Sequence, residues 1–206
     1  MIVMKTSSTK TATPSRKEIT HARILETAAR AIRRSGYSGT GVADIMKEAG
    51  LTHGGFYAHF ASRDEMLAEA ANLAGAQTVA IAQQVFADAP NAHGLWAFMN
   101  AYLSHEHAQN IETGCAIAAL CSEIPRQAPE VRAVSTRRIK EMISLIEGQL
   151  SAQDRSDARD EALLILSTMV GALMLARAVD DTELSNALRQ AALNCHKPRD
   201  EGSIHT

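Results

Sequence analysis

The sequence predicts an all-α fold in which an N-terminal head of three helices, containing a helix-turn-helix, is joined to a larger helical body. Apolar residues recur at helical spacing along the chain, whereas strand-like alternation is missing from the head. Two Ser-x-x-Glu stretches mark helix starts. The chain has 206 residues, which is long enough to bury a sizeable core. We therefore divide it into an arm (1–14), the head (15–61), the body (62–195) and a frayed tail (196–206).

The arm and the first helix precede residue 36. Residues 1–14 are rich in Thr and Ser and include Lys5 and Lys10, which is typical of a flexible basic arm. Ser15 and Glu18 are spaced as a capping box, in which each side chain binds a backbone N–H of the other residue. The helix that they open ends at Ser35-Gly36. Its apolar face consists of Ile24, Leu25, Ala28, Ala31 and Ile32.

The stretch from Thr40 to Arg63 has the spacing of two short helices and a turn. Gly50 supplies the left-handed backbone that ends the first of them, and Thr52 stands where it caps the second. The second helix therefore follows the first at a steep angle. The apolar stripe of the first helix is Val42, Ile45, Met46 and Ala49. The expected core of the head, which positions the helices without contacting a ligand, is Ile24, Ile45, Leu51, Phe56 and Phe60.

The fourth helix begins the body. Ser62 and Glu65 are spaced as a second capping box, and the helix continues through Leu67 and Ile81 until Pro90-Asn91 breaks it. The pattern stays helical beyond this break. Further helices are expected around residues 93–110, 115–123, 130–150, 156–179 and 182–194.

Charge is divided unevenly along the chain. The formal net charge is −2, from 21 Lys and Arg against 23 Asp and Glu. Residues 1–63 contain 10 basic and 4 acidic residues, a net charge of +6, which leaves 11 basic and 19 acidic residues, a net charge of −8, for the remainder. A basic head on an acidic body fits contact with duplex DNA at one end only.

The start of the second helix of the helix-turn-helix carries the main candidate DNA contacts. His53 is the candidate for a base edge. Gly54 and Gly55 leave the backbone nearly bare, which permits close approach. Tyr57 and His59 follow, and their polar tips reach phosphate oxygens.

Three further residues of this region join the candidates. Thr40 and Thr52 are capping residues whose hydroxyls can also meet phosphate. The positive charge of Arg63 is unfavourable at a helix N-terminus, because the helix dipole is also positive there. A phosphate bound nearby would compensate both positive charges. The predicted DNA-binding set is therefore Thr40, Thr52, His53, Gly54, Gly55, Tyr57, His59 and Arg63. Two interpretations stay open for four basic residues, which either lie along the minor groove or solvate the arm: Lys5, Lys10, Arg16 and Lys17.

Residues 20–70 resemble the DNA-binding domain of the TetR family of bacterial transcriptional repressors. The resemblance covers about a quarter of the chain and rests on helix spacing and on motifs that fall in register: Gly36-Tyr37, Gly50, Gly54, Phe56-Tyr57, His59-Phe60 and Ser62-Arg63. Gly55 departs from it, where members often have Thr or Ser, as does His21, where they often have Arg. The resemblance implies a repressor that binds a palindromic operator as a homodimer and is released by a small apolar effector.

The segment from Leu163 to Leu175 is apolar nearly all round, so it must be covered on both sides. Either the body buries it centrally, or a partner chain covers one side, with Gly171 allowing close approach. The following helix would add Leu184, Leu188 and Ala191. The resemblance implies the second arrangement, a four-helix interface from the last two long helices of each chain. Two heads ~34–36 Å apart would then read a palindrome.

Aromatic and soft apolar residues recur in the middle helices: Trp96, Phe98, Met99, Tyr102, His105, Cys115, Met142 and Met169. Each one singly fits a hydrophobic core. Together they are also what a moderately large apolar ligand pocket needs, with His105 or Tyr102 orienting a polar group. The resemblance implies such a pocket, so this set is the candidate effector site.

Other functional classes have weaker support. No G-x-S-x-G elbow is present, so we expect no enzyme activity and no catalytic residues. His105 and His107 point ~200° apart on a helix and cannot chelate one ion together, so neither a metal site nor a cofactor is expected. A thiol or electrophile sensor remains an alternative, because Cys115 lies near a predicted helix N-terminus that would stabilise a thiolate. Otherwise this thiol is a small buried hydrophobe.

Three features bear on the compartment. The three cysteines have no metal-like spacing, which favours a reducing, intracellular setting. The N-terminus lacks the apolar core of a signal peptide. The longest apolar run, residues 162–176, is shorter than the ~20 residues of a membrane span. We therefore expect a cytoplasmic protein that does not contact a membrane.

Overall fold

A computed structural model describes residues 14–89, 92–151 and 157–197, and every regular element within these ranges is helical. The α-helices are α1 (Arg16–Ser35), α2 (Val42–Glu48), α3 (Arg63–Asp88), α4 (Ala92–Tyr102), α5 (His105–Gln109), α6 (Ala116–Leu120), α7 (Pro129–Ser151), α8 (Ala158–Ala178) and α9 (Thr182–Cys195). Two short 3-10 helices span His53–Ala58 and Ile124–Arg126. The predicted all-α class is confirmed. The predicted break at Pro90-Asn91, most of the arm and most of the tail lie outside the described residues.

The first helix forms as its capping signals predict. The Ser15 hydroxyl accepts the N–H of Glu18 at 3.3 Å, and the Glu18 carboxylate accepts the N–H of Ser15 at 2.6 Å. Gly36 ends α1 with φ +72°, and Gly50 follows α2 with φ +69°. Glycine tolerates this left-handed region because it has no Cβ. The predicted helix ends are therefore confirmed.

The second element of the helix-turn-helix differs from the expected α-helix. His53–Ala58 is a 3-10 helix, and Thr52 occupies its N-cap position without a side-chain capping hydrogen bond. Two adjacent glycines, Gly54 and Gly55, have poor helix propensity and disfavour a longer α-helix here. The expected capping role of the Thr52 hydroxyl is wrong.

The second capping box forms with one partner shifted. The Ser62 hydroxyl accepts the N–H of Glu65 at 3.1 Å, as predicted. The Glu65 carboxylate instead accepts the N–H of Ala61 at 2.5 Å. It therefore fixes Ala61, the residue between Phe60 of the head core and the Ser62 cap of α3.

The segment predicted as one helix over 93–110 is two helices. Helix α4 ends at Tyr102, and α5 begins at His105. Ser104 has extended backbone and its hydroxyl accepts the N–H of His107, so it caps a new helix. This break turns α5 relative to α4 and decides which histidine faces inward.

Two apolar cores are connected by α3. The head core joins residues of α1 and α2, such as Ile24 and Ile45, to Met66 of α3, and it also includes Leu120 of α6 and Val131 of α7. The body core lies among α3, α4, α7 and α8, where Met169 is fully buried. The head therefore packs directly on the body at α3, α6 and α7.

Helix α8 is longer than the apolar run suggested. It has 21 residues with a mean hydropathy of 1.6 in its best window, so by length and composition it is able to cross a membrane. The expectation that it is too short is wrong. Core helices of soluble proteins have the same composition, and α8 packs against both α7 and α9.

Candidate functional site

The 3-10 helix His53–Ala58, which we call the recognition segment, projects polar groups from the head. His53 is exposed, and Tyr57 is 72% exposed. Beneath them Phe56 is buried, and its ring meets the Tyr57 ring edge-on at a centroid distance of 5.2 Å. The buried ring therefore positions the exposed phenol.

The two glycines of the recognition segment are not required by its fold. A Cβ added to Gly54 would meet no atom within 4 Å, and one added to Gly55 would lie 3.6 Å from Met46 Cε, an ordinary contact. Neither has a positive φ. The bare backbone thus leaves a surface that another molecule can approach closely.

His59 and His21 lie together beside the recognition segment. Their ring centroids are 6.1 Å apart, and the His21 ring stacks on Phe60 at 4.6 Å. His21 Nε2 lies 2.9 Å from the Glu69 carboxylate, which ties α1 to α3. Burial lowers the pKa of His59, with His21 and Lys17 acting in the same direction. His59 is therefore neutral at pH 7.

Thr40 and Arg63 hold the turn before α2. Thr40 is 3% exposed, and its hydroxyl donates to the carbonyl of Gly36 at 2.6 Å. Because that proton is committed, Thr40 cannot donate to a phosphate, which corrects its predicted role. Arg63 Nη2 donates to the carbonyls of Tyr37 and Thr40, at 2.5 and 3.0 Å. Arg63 thus positions the helix-turn-helix whatever else its remaining donors contact.

A cavity of about 390 Å³ opens in the body among α3, α4, α5 and the loop before α6. Three of the predicted effector residues line it, namely Phe98, Tyr102 and Cys115. The other five do not: Met99, Met142 and Met169 are buried in the core, Trp96 packs half-buried against it, and His105 is exposed on a separate groove. Periodicity alone could not separate core residues from lining residues.

His107 is the lining residue that sequence reasoning missed. Its Nε2 accepts the N–H of Cys115 at 3.0 Å, so its Nδ1 carries the proton and donates to the Tyr102 carbonyl at 2.5 Å. Burial lowers the pKa of His107, which favours this neutral form. The Ser104 cap, which breaks the predicted helix, is the signal that could have identified it.

Arg177 lies behind the same wall. It donates from Nε to the carbonyl of Ala108 at 3.1 Å and from Nη2 to that of His107 at 2.7 Å. A Cβ at Gly114 would come within 2.9 Å of both Arg177 Nη2 and His107 Nε2. Gly114 therefore permits α8, α5 and the loop before α6 to approach one another closely.

The Tyr102 hydroxyl is buried at the cavity. Among the described residues it has no nitrogen or oxygen partner, and only the Cys115 thiol, a weak acceptor, interacts with it. Burial raises the pKa of Tyr102 well above its ordinary value, so the phenol stays protonated. The cavity therefore holds a hydrogen-bond donor.

The head is bound to the loops that flank α6. Buried Arg33 donates to the carbonyls of Ala74 and Glu112, at 2.8 and 3.3 Å. Arg34 pairs with the Glu112 carboxylate at 3.1 Å. Thr113, the next residue, lines the cavity. The cavity wall is therefore adjacent in sequence to Glu112, which contacts the end of α1.

Helices α8 and α9 expose an apolar face. Leu164 is 60% exposed, and Leu175 and Leu184 are also exposed. A Cβ at Gly171 would meet nothing within 4 Å. Leu164, Gly171 and Leu175 recur at spacings of seven and four, so they lie on one side of α8. This side is uncovered in the single chain.

Among the described residues, no three His, Cys, Asp or Glu side chains converge as a metal site would require. Cys115 occupies the N-cap position of α6 and is 3% exposed.

Two family descriptions match this chain. Residues 24–70 match the bacterial regulatory proteins of the tetR family, and residues 91–192 match the C-terminal domain of LmrA/YxaF-like transcriptional regulators. The chain is 29% identical over 171 residues to the HTH-type transcriptional regulator LmrA of Bacillus subtilis (strain 168), covering 79% of this chain and 89% of that protein.

Solved structures share the fold. A TetR transcriptional regulator from Chloroflexus aurantiacus J-10-FL is 27% identical, with a TM-score of 0.71 over 86% of this chain and 94% of that one. Escherichia coli NemR in its reduced form is 18% identical, with a TM-score of 0.75 over 87% and 95%. Bacillus subtilis FadR in complex with stearoyl-CoA is 18% identical, with a TM-score of 0.66 over 85% and 97%.

Proposed function

Because the chain belongs to the TetR family of DNA-binding transcriptional regulators, which are not enzymes, we propose that it is a cytoplasmic homodimeric repressor that releases a palindromic operator when a small apolar effector binds. The observation that carries this proposal is the recognition segment, whose exposed His53 and Tyr57 flank a glycine backbone that the fold itself does not require.

In this proposal the recognition segment enters the major groove. His53 hydrogen-bonds a base edge, Gly54 and Gly55 allow the backbone to approach the duplex, and Tyr57 donates to a phosphate. Thr52 is exposed and its hydroxyl is not used in capping, so it also remains a candidate phosphate contact. His59 lies at the edge of this surface.

The exposed face of α8 and α9 supports dimerisation. Burying the Leu164, Leu175 and Leu184 side chains against a second copy would remove apolar area from water, which stabilises association by about 25 cal/mol per Å². Open space at Gly171 supports close helix approach. Such a dimer would place two recognition segments on half-sites one turn of DNA apart.

The cavity supports a route from effector to DNA. Helix α3 contributes Thr78, Ile81 and Val85 to the cavity wall, and only Ala61 separates Phe60, in the head core, from the Ser62 cap of α3. A ligand that shifts α3 would therefore move the head. The Glu112 link to α1 offers a second connection to the same wall.

A thiol switch at Cys115 is the alternative. Cys115 lines the cavity, but its burial restricts access by an oxidant in solution, so a reversible ligand is the better supported effector.

The test is selection of bound duplexes from a random DNA library by the full chain. We expect a palindrome whose half-site centres lie ~34–36 Å apart. The double variant His53→Ala/Tyr57→Phe should lose enrichment of this palindrome while its helical circular dichroism stays unchanged. A compound screen against the selected operator then identifies the effector. Selection of no common sequence, or equal enrichment by the double variant, would refute the proposal.

A further inference from the structure

The buried Tyr102 hydroxyl indicates the chemistry of the ligand that the cavity binds. We infer that the cavity binds an apolar molecule whose buried end carries a hydrogen-bond-accepting oxygen, as in a ketone or a carboxylate, held by the Tyr102 hydroxyl. This inference rests on the proposed function for the effector role of the cavity.

Tyr102 needs a partner that its neighbours do not supply. Both ring nitrogens of His107 are engaged with backbone groups, and the Thr78 hydroxyl donates to the carbonyl of Ala74. The Cys115 thiol lies beside the phenol and interacts with it, but sulfur is only a weak acceptor, so the hydroxyl has no nitrogen or oxygen partner among the described residues. Buried tyrosine hydroxyls are normally satisfied. An accepting atom of a ligand would supply the Tyr102 hydroxyl with the hydrogen-bond partner that it lacks.

Local charge selects the kind of ligand atom. The Arg177 guanidinium acts electrostatically on Tyr102, and it has no carboxylate partner among the described residues. Its positive charge stabilises an electron-rich oxygen beside the phenol and disfavours an ammonium group. Because Tyr102 remains protonated, it is available as the donor. The preferred ligand end is therefore an acceptor and not a cation.

The rest of the cavity fits an apolar body. Ile81, Val85, Phe98 and Ala101 provide apolar lining, and a volume of about 390 Å³ lies in the range of small-molecule sites. Glu106 and Asn110 also line the cavity and are exposed to solvent, whereas the Tyr102 hydroxyl is buried. The buried end is thus the selective one.

The test uses four naphthalenes of similar shape and isothermal titration calorimetry with the full chain. The probes are 2-ethylnaphthalene, 2-acetonaphthone, 2-naphthoate and 1-(2-naphthyl)ethylamine. We expect the ketone or the carboxylate to bind about tenfold more tightly than the hydrocarbon, and the amine to bind most weakly. A tighter ketone identifies a neutral acceptor, and a tighter carboxylate identifies an anionic one.

Tyr102→Phe removes the hydroxyl and keeps the ring. It should bind 2-ethylnaphthalene as the wild type does and lose the tenfold preference for the oxygen-bearing probe. Tyr37→Phe, which removes a buried phenol hydroxyl in the head core and outside the cavity lining, is the matched control and should keep the preference. Equal binding of all four probes, tightest binding of the amine, no binding of any probe, or an unchanged preference in Tyr102→Phe would overturn the inference.

Operator release by the same probes, followed by fluorescence anisotropy, separates this inference from the proposed function. If Tyr102→Phe abolishes the preference but no probe releases DNA, the ligand chemistry stands and the regulatory role of the cavity fails. If probes release DNA without any preference for the oxygen, the regulatory role stands and the inference fails.

Discussion

The carboxylate of Glu123 accepts the backbone N–H of Tyr37 at 3.0 Å, joining the turn that follows α6 to the turn that follows α1. The same oxygen accepts the N–H of Ser38 at 3.3 Å. Gly36 makes this possible, because a Cβ there would lie 1.9 Å from Glu123 Oε1, and because its φ of +72° suits glycine. The head is therefore held to the body by a side chain that reaches into a glycine turn.

Replacing this carboxylate should loosen the head. We expect Glu123→Gln to lower the free energy of unfolding by about 1 kcal/mol, because two charge-assisted hydrogen bonds become weaker neutral ones. Urea denaturation measures the change. Asp180→Asn, which removes an exposed charge in the loop between α8 and α9, is the control and should change stability by less than half as much. Equal effects of the two substitutions would show that the contact with Tyr37 contributes nothing.

Local signals in the sequence predicted the helix starts and ends well. Ser15, Glu18, Gly36 and Gly50 act on backbone groups within a few residues, so their roles can be read without knowing the rest of the fold. The cavity depends instead on contacts between distant segments. His107 faces it only because Ser104 starts a new helix.

Thr40 shows the same limit in the head. Its place next to the helix-turn-helix suggested a phosphate contact, whereas the structure buries it and uses its proton at Gly36. Burial of a short polar side chain is set by packing of the surrounding turn. No periodic pattern reports it.

Substitutions of the two exposed side chains of the recognition segment should affect different properties: Tyr57 the affinity for DNA, and His53 the sequence specificity. We expect Tyr57→Phe to weaken binding about fivefold on every sequence, because it removes one phosphate hydrogen bond. His53→Ala should instead change the preferred base, at a cost of about 1–3 kcal/mol for the original site. Fluorescence anisotropy with the selected operator and its single-base variants measures both. A uniform loss in His53→Ala would exclude base contact by this residue.

The bare backbone at Gly54 should matter for DNA and not for folding. Because an added Cβ meets no atom of the protein, Gly54→Ala should leave the melting temperature unchanged or slightly raised. The methyl group would obstruct the duplex and reduce operator affinity at least tenfold. Gly148→Ala on α7, which also has open space, is the control and should bind normally. Full affinity of Gly54→Ala would refute close approach at this position.

Acid should destabilise the body through His107. Burial lowers its pKa, so the folded state binds fewer protons than the unfolded chain. Its contribution to stability is fully present above the unfolded pKa of about 6.5 and is lost as the pH falls toward the lower, folded pKa. Urea denaturation between pH 7.5 and 5 should show this decline. His107→Asn should decline less steeply, and identical slopes would contradict the assignment.

The face formed by α8 and α9 predicts the effect of a charge at Gly171. In the single chain this position is open, so Gly171→Glu should fold with helical content unchanged. In a dimer the carboxylate would be buried without a partner, which costs several kcal/mol. We expect light scattering at micromolar concentration to show a dimer for the wild type and a monomer for the variant.

Operator binding should fall together with dimerisation, because one recognition segment reads too few base pairs for tight binding. Gly148→Glu places the same charge at an exposed and equally open position of α7, so it should remain dimeric and bind DNA. A wild-type monomer would refute the dimer itself. A dimeric Gly171→Glu that still binds the operator would move the interface away from this side of α8.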